Sequence, residues 1–156
     1  MAQEIERKFL LKNQNWKAFS DSGTEIKQGY LSTEKERTVR IRIRGDKGIL
    51  TIKGATVGMS RLEFEYEIPI FDARELILLC KKPIIEKTRF LLKADELTWE
   101  IDIFSGENKG LEIAEVELNT ENQTVNLPDW IGEEVTSDSR YYNSNLVKNP
   151  FKNWKD

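Results

Sequence analysis

Charged side chains recur at every second position along several stretches of this chain, and they are sorted by sign. Glu4, Glu6 and Lys8 alternate with Ile5 and Phe9, and Arg40, Arg42 and Arg44 alternate with Val39, Ile41 and Ile43. Glu63, Glu65 and Glu67 alternate with Leu62, Phe64, Tyr66 and Ile68. Glu100 and Asp102 alternate with Trp99, Ile101 and Ile103, and Glu115 and Glu117 with Val116 and Leu118. A period of 2 puts each set on one face of a strand. A charged strand face ordinarily looks to water. Like charges two apart on a strand gain nothing locally, yet the sign-sorted pattern recurs on nearly every long strand. That favours charges converging on a wet cavity, where acids hold divalent metals and bases hold a polyanion.

Composition narrows the chemistry further. The 156 residues contain no histidine, which removes histidine general bases, histidine zinc sites and Ser-His or Cys-His nucleophiles. Proton transfer falls to Glu, Asp, Lys or Tyr, and any metal is a hard, oxygen-seeking one such as Mg²⁺ or Mn²⁺. The 24 basic and 27 acidic residues leave a net charge of −3, so phosphate recognition must be local, and broad nucleic-acid binding is not expected. Cys80, the single cysteine, sits in the apolar run Leu76–Cys80 and reads as a buried thiol; no intrachain disulfide is possible, which favours a reducing compartment. No apolar stretch is long enough to span a bilayer, so a cytoplasmic location without membrane contact is expected.

The elements that must position these side chains follow from periodicity and turn signals. Strands are expected over Gln3–Leu11, Glu25–Ser32, Thr38–Gly45, Ile49–Gly54, Arg61–Pro69, Ile84–Lys93, Leu97–Phe104 and Leu111–Asn119. Gly45–Gly48 and Ala94–Glu96 read as turns. A helix is expected from an Asp72 cap to about Lys82, stopped by Pro83. Short helices are expected over Asn13–Phe19, Pro128–Glu134 and Ser139–Val147. The pattern is α+β, mostly antiparallel, with the apolar strand faces turned to a core made with outer helices and the charged faces turned to a shared lumen. Residues 1–156 read as a single domain.

Glu4-Ile5-Glu6-Arg7-Lys8 fits an E-x-E-x-K signature, and further segments follow in order. They are Gln28–Leu31, Val39–Arg42, Thr51–Gly54, Glu63–Glu67, Glu86–Arg89, Trp99–Asp102, Ala114–Leu118, Val135-Thr136 and Arg140–Asn143. Together they make the chain resemble the CYTH superfamily, the triphosphate tunnel metalloenzymes, from Glu4 to about Asn145. The resemblance implies an eight-stranded antiparallel β-barrel with flanking helices, a C-terminal helix able to plug one end, and metal-dependent cleavage of a small-molecule triphosphate. Small single-domain members are mostly inorganic triphosphatases.

Joined to the charge pattern, the resemblance assigns roles. Lys8, Arg40, Arg42, Lys53, Lys87 and Arg89 are expected to bind the triphosphate, arginine through its planar fork and lysine as a point charge. Glu4, Glu6, Asp102, Glu115 and Glu117 are expected to hold Mg²⁺ or Mn²⁺. Lys53 and Tyr30 match a catalytic Lys–Tyr pair by motif, and Glu63 or Glu65 would orient the attacking water. The sequence leaves open the roles of Arg44, Glu67, Glu100, Glu112 and Tyr142, and whether the protein forms a homodimer. Inorganic tripolyphosphate is the first expectation for substrate. The alternatives are thiamine or nucleoside triphosphate hydrolysis, a class IV adenylyl cyclase, and a polyphosphate-binding module without turnover. The cyclases generally carry histidine-containing segments that this chain lacks.

Overall fold

Two-residue turns fix the register of two hairpins. Gly45 supplies a positive φ of 61° at one, and Asp95 and Glu96 adopt φ of 51° and 66° at the other, the geometry whose twist matches the flanking strands. A computed structural model describes residues 3–154. Its strands are β1 (Gln3–Leu11), β2 (Thr24–Ser32), β3 (Arg37–Arg44), β4 (Lys47–Gly54), β5 (Ser60–Ile68), β6 (Ile85–Ala94), β7 (Leu97–Ser105), β8 (Glu112–Glu117) and β9 (Ile131–Glu134). Neighbours run β5-β4-β3-β2-β6-β7-β8-β1, and β5 pairs back onto β1, closing an eight-stranded antiparallel barrel. β1 meets β5 through Gln3–Ile5 and β9 through Phe9 and Leu11, so it serves two neighbours on one edge.

The strands match the expected α+β barrel closely, and the differences lie outside it. Pro128–Glu134 is not a helix: Ile131–Glu134 forms β9, because Ile131 and Glu134 find register partners in Leu11 and Phe9. The Asn13–Phe19 helix shrinks to a 3-10 turn at Asn15–Ala18. α1 (Ile70–Leu79) starts earlier than expected: Pro69 is its cap residue, and the Ala73 N–H donates to the Pro69 carbonyl at 3.0 Å. Asp72 lies inside the first turn, where its charge meets the helix dipole, and caps nothing. Ser139–Val147 divides into a 3-10 turn at Ser139–Tyr141 and α2 (Asn143–Lys148). No described helix is long and apolar enough to cross a membrane.

Strand alternation sends the apolar residues outward, so most of the core lies outside the barrel wall. Phe9, Trp99, Ile101 and Val116 pack there with Trp16 and Trp130. α1 lays Ala73 and Cys80 over Ile41, with Leu50, Leu76 and Ile77 around them. At one end the core turns inward. Tyr30, Ile85, Phe104 and Ile113 meet Val135, Tyr141, Leu146 and Val147, and this C-terminal segment plugs that end of the barrel. The outer faces of β4 and β5 depart from the expectation that every apolar face is covered: Ile52, Leu62, Phe64 and Tyr66 are exposed.

α1 lies so close to β2 that the strand needs a glycine beneath it. A Cβ on Gly29 would sit 2.5 Å from the Cys80 Cβ and 2.9 Å from its Sγ. Gly29→Ala is therefore expected to lower stability by about 1–3 kcal/mol through overpacking. In a domain of this size that is a loss of roughly 3–8 °C in Tm. A melting curve superimposable on wild type would show that the helix does not press on the strand.

Candidate active site

The inward positions of the barrel strands bring the charges together. A cavity of about 210 Å³ is lined by Glu4, Glu6 and Lys8 of β1, Arg40, Arg42 and Arg44 of β3, and Lys53 of β4. Arg61, Glu63 and Glu65 of β5, Lys87 and Arg89 of β6, Glu100 of β7 and Glu115 and Glu117 of β8 complete the charged wall. Tyr30, Tyr142, Asn143 and Ser144 are the neutral lining nearest the plug. Glu4, Lys8, Arg40, Arg42, Lys87, Asp102 and Glu115 are each less than a tenth exposed. Charged groups seldom reach such burial unless they are paired or hydrogen-bonded.

The pairs are specific. Asp102 receives Lys87 at 2.7 Å and a two-pronged Arg89 at 2.8 and 2.9 Å. Lys53 donates to both oxygens of Glu4 at 3.0 and 3.1 Å and lies 3.5 Å from Glu63. Lys8 lies 3.8 Å from Glu115 and donates to the Tyr141 carbonyl at 3.1 Å. Arg40 lies 3.7 Å from Glu65 and donates to the Thr51 hydroxyl at 3.0 Å. Arg89 also lies 3.3 Å from Glu100. Arg42 has no carboxylate within ion-pair distance among the described residues; its Nε donates to Gln28 Oε1 at 2.8 Å.

The expected triphosphate-binding cations Lys8, Arg40, Arg42, Lys53, Lys87 and Arg89 all face this one cavity. So do Glu4, Glu6, Glu115 and Glu117 of the expected metal ligands. Asp102 does not line it. Buried to 1 % exposure beneath Lys87 and Arg89, it aims two cations, which engage both of its oxygens. Tyr30 and Lys53 both line the cavity but are not hydrogen-bonded to each other: Lys53 is held by Glu4 and Glu63, while Tyr30 belongs to the apolar layer under the plug. Arg44 and Glu100 belong to the lining; Glu67 is exposed, and Glu112 accepts a hydrogen bond from Gln14 outside the barrel. Sequence reasoning missed Arg61, although it stands two positions before Glu63 and so shares its inward face. It also missed the neutral Gln28 and Asn143, which no charge pattern marks.

The electrostatics divide the cavity. Against the cost of burial, Lys8 holds Glu115 down to about 2. Burial, with Arg40 and Arg89 close by, pushes Arg42 down to about 9. Burial, reinforced by Arg89 and Arg42 and only partly offset by Asp102, pushes Lys87 down to about 7. On the acidic side, burial and then Glu115 and Glu4 drive Glu6 well above its ordinary value. Burial together with Glu4 raises Glu63 and Glu117 as well.

Glu4, Glu6, Glu115 and Glu117, with Glu6 crowded by two of the others, form a donor set suited to a hard cation. No three acidic groups already converge as a finished metal cluster among the described residues. Mg²⁺ keeps several waters and needs only one or two carboxylates beside its phosphate oxygens, so an open set of this kind fits.

A raised carboxyl pKa means that the folded chain takes up the proton more readily than the unfolded one. Its strain is therefore present above the raised pKa and is relieved as pH falls toward the ordinary value of 4.5. In chelator-treated protein, Glu6→Gln is expected to raise Tm at pH 7 by roughly 2–4 °C, about 1 kcal/mol for a domain of this size. The advantage should vanish near pH 4.5, where wild-type Glu6 is protonated too. A glutamine variant that melts lower than wild type at pH 7 contradicts the crowding.

The CYTH domain family profile matches residues 2–148. An inorganic triphosphatase of Acetivibrio thermocellus is 52% identical over 157 residues, covering 100% of both chains. An inorganic triphosphatase of Nitrosomonas europaea is 36% identical over 151 residues, covering 92% of this chain and 96% of that one. A crystal structure of an inorganic triphosphatase superposes with a TM-score of 0.65 at 32% identity, over 94% of this chain and 95% of that chain. With its closed barrel, charged lumen and matching sequence along almost its whole length, the chain belongs to the CYTH domain family.

Proposed function

We propose that this protein is a metal-dependent hydrolase that cleaves inorganic tripolyphosphate inside its barrel. The observation that carries the reading is the convergence of Lys8, Arg40, Arg42, Lys53, Lys87 and Arg89 with the carboxylates Glu4, Glu6, Glu115 and Glu117 on one cavity. A triphosphate presents oxygens on every side, and only a surrounding wall can meet them all. The names of the two curated relatives support inorganic triphosphate as the substrate.

Arg40 and Arg42 present guanidinium donors to the phosphate oxygens, Arg89, its fork held by Asp102, adds positive charge, and Lys8 and Lys53 add compact charge. Glu4, Glu6, Glu115 and Glu117 would hold Mg²⁺ or Mn²⁺, which when bound neutralises phosphate charge and makes a water more acidic. Glu63 and Glu65, on the inward face of β5, would orient the attacking water. Proton transfer belongs to a different lysine than the motif suggested. Lys53 is clamped by Glu4 and Glu63, whereas burial brings Lys87 down to about 7 despite the pull of Asp102. Lys87 is therefore the group that accepts the water's proton as the terminal phosphoryl group leaves pyrophosphate.

Phosphate release from tripolyphosphate, ATP, thiamine triphosphate and pyrophosphate tests the substrate. Tripolyphosphate with Mg²⁺ or Mn²⁺ is expected to turn over at least about tenfold faster by kcat/KM than the others, a difference of about 1.4 kcal/mol in transition-state binding. Excess EDTA is expected to abolish release. Equal rates on ATP or thiamine triphosphate would move the assignment to those substrates, and silence on all four would leave a binding module. The role of Lys87 has its own signature. The wild-type kcat should rise with pH along a limb beginning near or above pH 7, since bound phosphate favours the protonated amine. Lys87→Met should lose that limb together with about 10²–10⁴-fold of kcat. A Lys87→Met enzyme keeping the same limb would return the proton-transfer role to another group.

A further inference from the structure

One neutral side chain reaches into the cation array from outside the barrel wall. Asn143 opens α2 in the C-terminal plug and lines the cavity. Its Oδ1 accepts a hydrogen bond from Lys87 Nζ at 3.1 Å and another from Gln28 Nε2 at 3.2 Å. Gln28 is fully buried, and its Oε1 in turn accepts from Arg42 Nε at 2.8 Å. A single amide thus touches a cation of β6 directly and a cation of β3 through one intermediary.

The consequence for each cation can be read from its donors. In its protonated form, the one that binds phosphate, Lys87 has three N–H bonds that rotate together. Asp102 engages one at 2.7 Å and Asn143 a second, so the third has a defined direction. Arg42 lacks a carboxylate partner among the described residues, and Gln28 is its only side-chain hydrogen-bond partner there. Holding Nε alone leaves both terminal nitrogens free as a fork for phosphate. The apolar docking of α2 needs none of this. Leu146 and Val147 bury themselves without Asn143, whose polar contacts all point at the site.

We infer that Asn143 is a positioning residue, orienting Lys87 directly and Arg42 through Gln28, so that triphosphate affinity depends on the docked C-terminal segment. The inference rests on the proposed triphosphate reading.

A double-mutant cycle on the full chain tests it. Serine suits a helix start but is too short to span Lys87 and Gln28. Tripolyphosphate is titrated calorimetrically into EDTA-treated wild type, Asn143→Ser, Lys87→Met and the double variant. Asn143→Ser is expected to weaken Kd about tenfold, and by no more than about threefold once Lys87 is methionine, because contacting residues that act together are non-additive. In the Mg²⁺ assay the same variant should raise KM more than it lowers kcat. A loss within twofold of wild type, or equal penalties in both backgrounds, overturns the inference. Gln28→Met, close in volume, repeats the cycle without touching α2. Its penalty and that of Asn143→Ser should together cost no more than the larger alone, and full additivity there also overturns the relay. A wild type that binds tripolyphosphate but releases no phosphate removes the hydrolase reading and leaves the cycle interpretable. A wild type that does not bind it removes both.

Discussion

Everything in this structure depends on neutralising charge that the barrel has taken out of water. An unpaired buried ion costs several kcal/mol, and removing one member of a buried pair costs about 3–5 kcal/mol. The lumen meets that cost by alternation: Asp102 beneath Lys87 and Arg89, Glu4 against Lys53, Glu115 beside Lys8. The balance is deliberately incomplete in two places. Arg42 is held by an amide instead of an acid, and Glu6 is crowded by two other carboxylates. One place therefore lacks an anion and the other carries an excess of acid, and the proposed metal–triphosphate complex would relieve both.

The barrel can hold ions because its apolar matter lies elsewhere. Trp16, Trp99 and Trp130 pack on the outside of the wall, and α1 covers a second outer face. Only at the plugged end does the interior become apolar, where Phe104, Ile113 and Ile85 meet Leu146 and Val147. That end supplies a dry floor. Above it Lys8 points across to the Tyr141 carbonyl, with the Tyr142 ring 5.5 Å from its ammonium. The plug is thus at once part of the hydrophobic core and part of the polar site.

Most of this was legible as period. The alternation in Glu4–Lys8, Arg40–Arg44 and Glu63–Glu67 located strands and chose their inward faces, because side chains two apart cannot point to opposite sides. What period cannot supply is which strand lies beside which. Asp102 could be seen to face inward, but its duty follows from standing opposite Arg89 in the β6–β7 register. That Lys53 and Tyr30 share the cavity without a hydrogen bond between them has the same origin, since Lys53 stands opposite Glu63 across β4 and β5. β9 was misread because a four-residue strand carries almost no pattern, and its partners Phe9 and Leu11 lie more than a hundred residues away. Asn143 was invisible on its own, as a neutral residue in a segment without alternation. Arg61 was within reach and was overlooked.

The wall has a weak line. β1 joins β5 through Gln3–Ile5 alone, the shortest pairing in the closed ring, and the contact of Lys53 with Glu4 and Glu63 runs across that line like a stitch. Under the proposed reading, a phosphate that draws Lys53 away would loosen the stitch, and a cation shared between the acids of β1 and β5 would draw it tight again, so that guest and counter-ion together would zip shut the wall that encloses them.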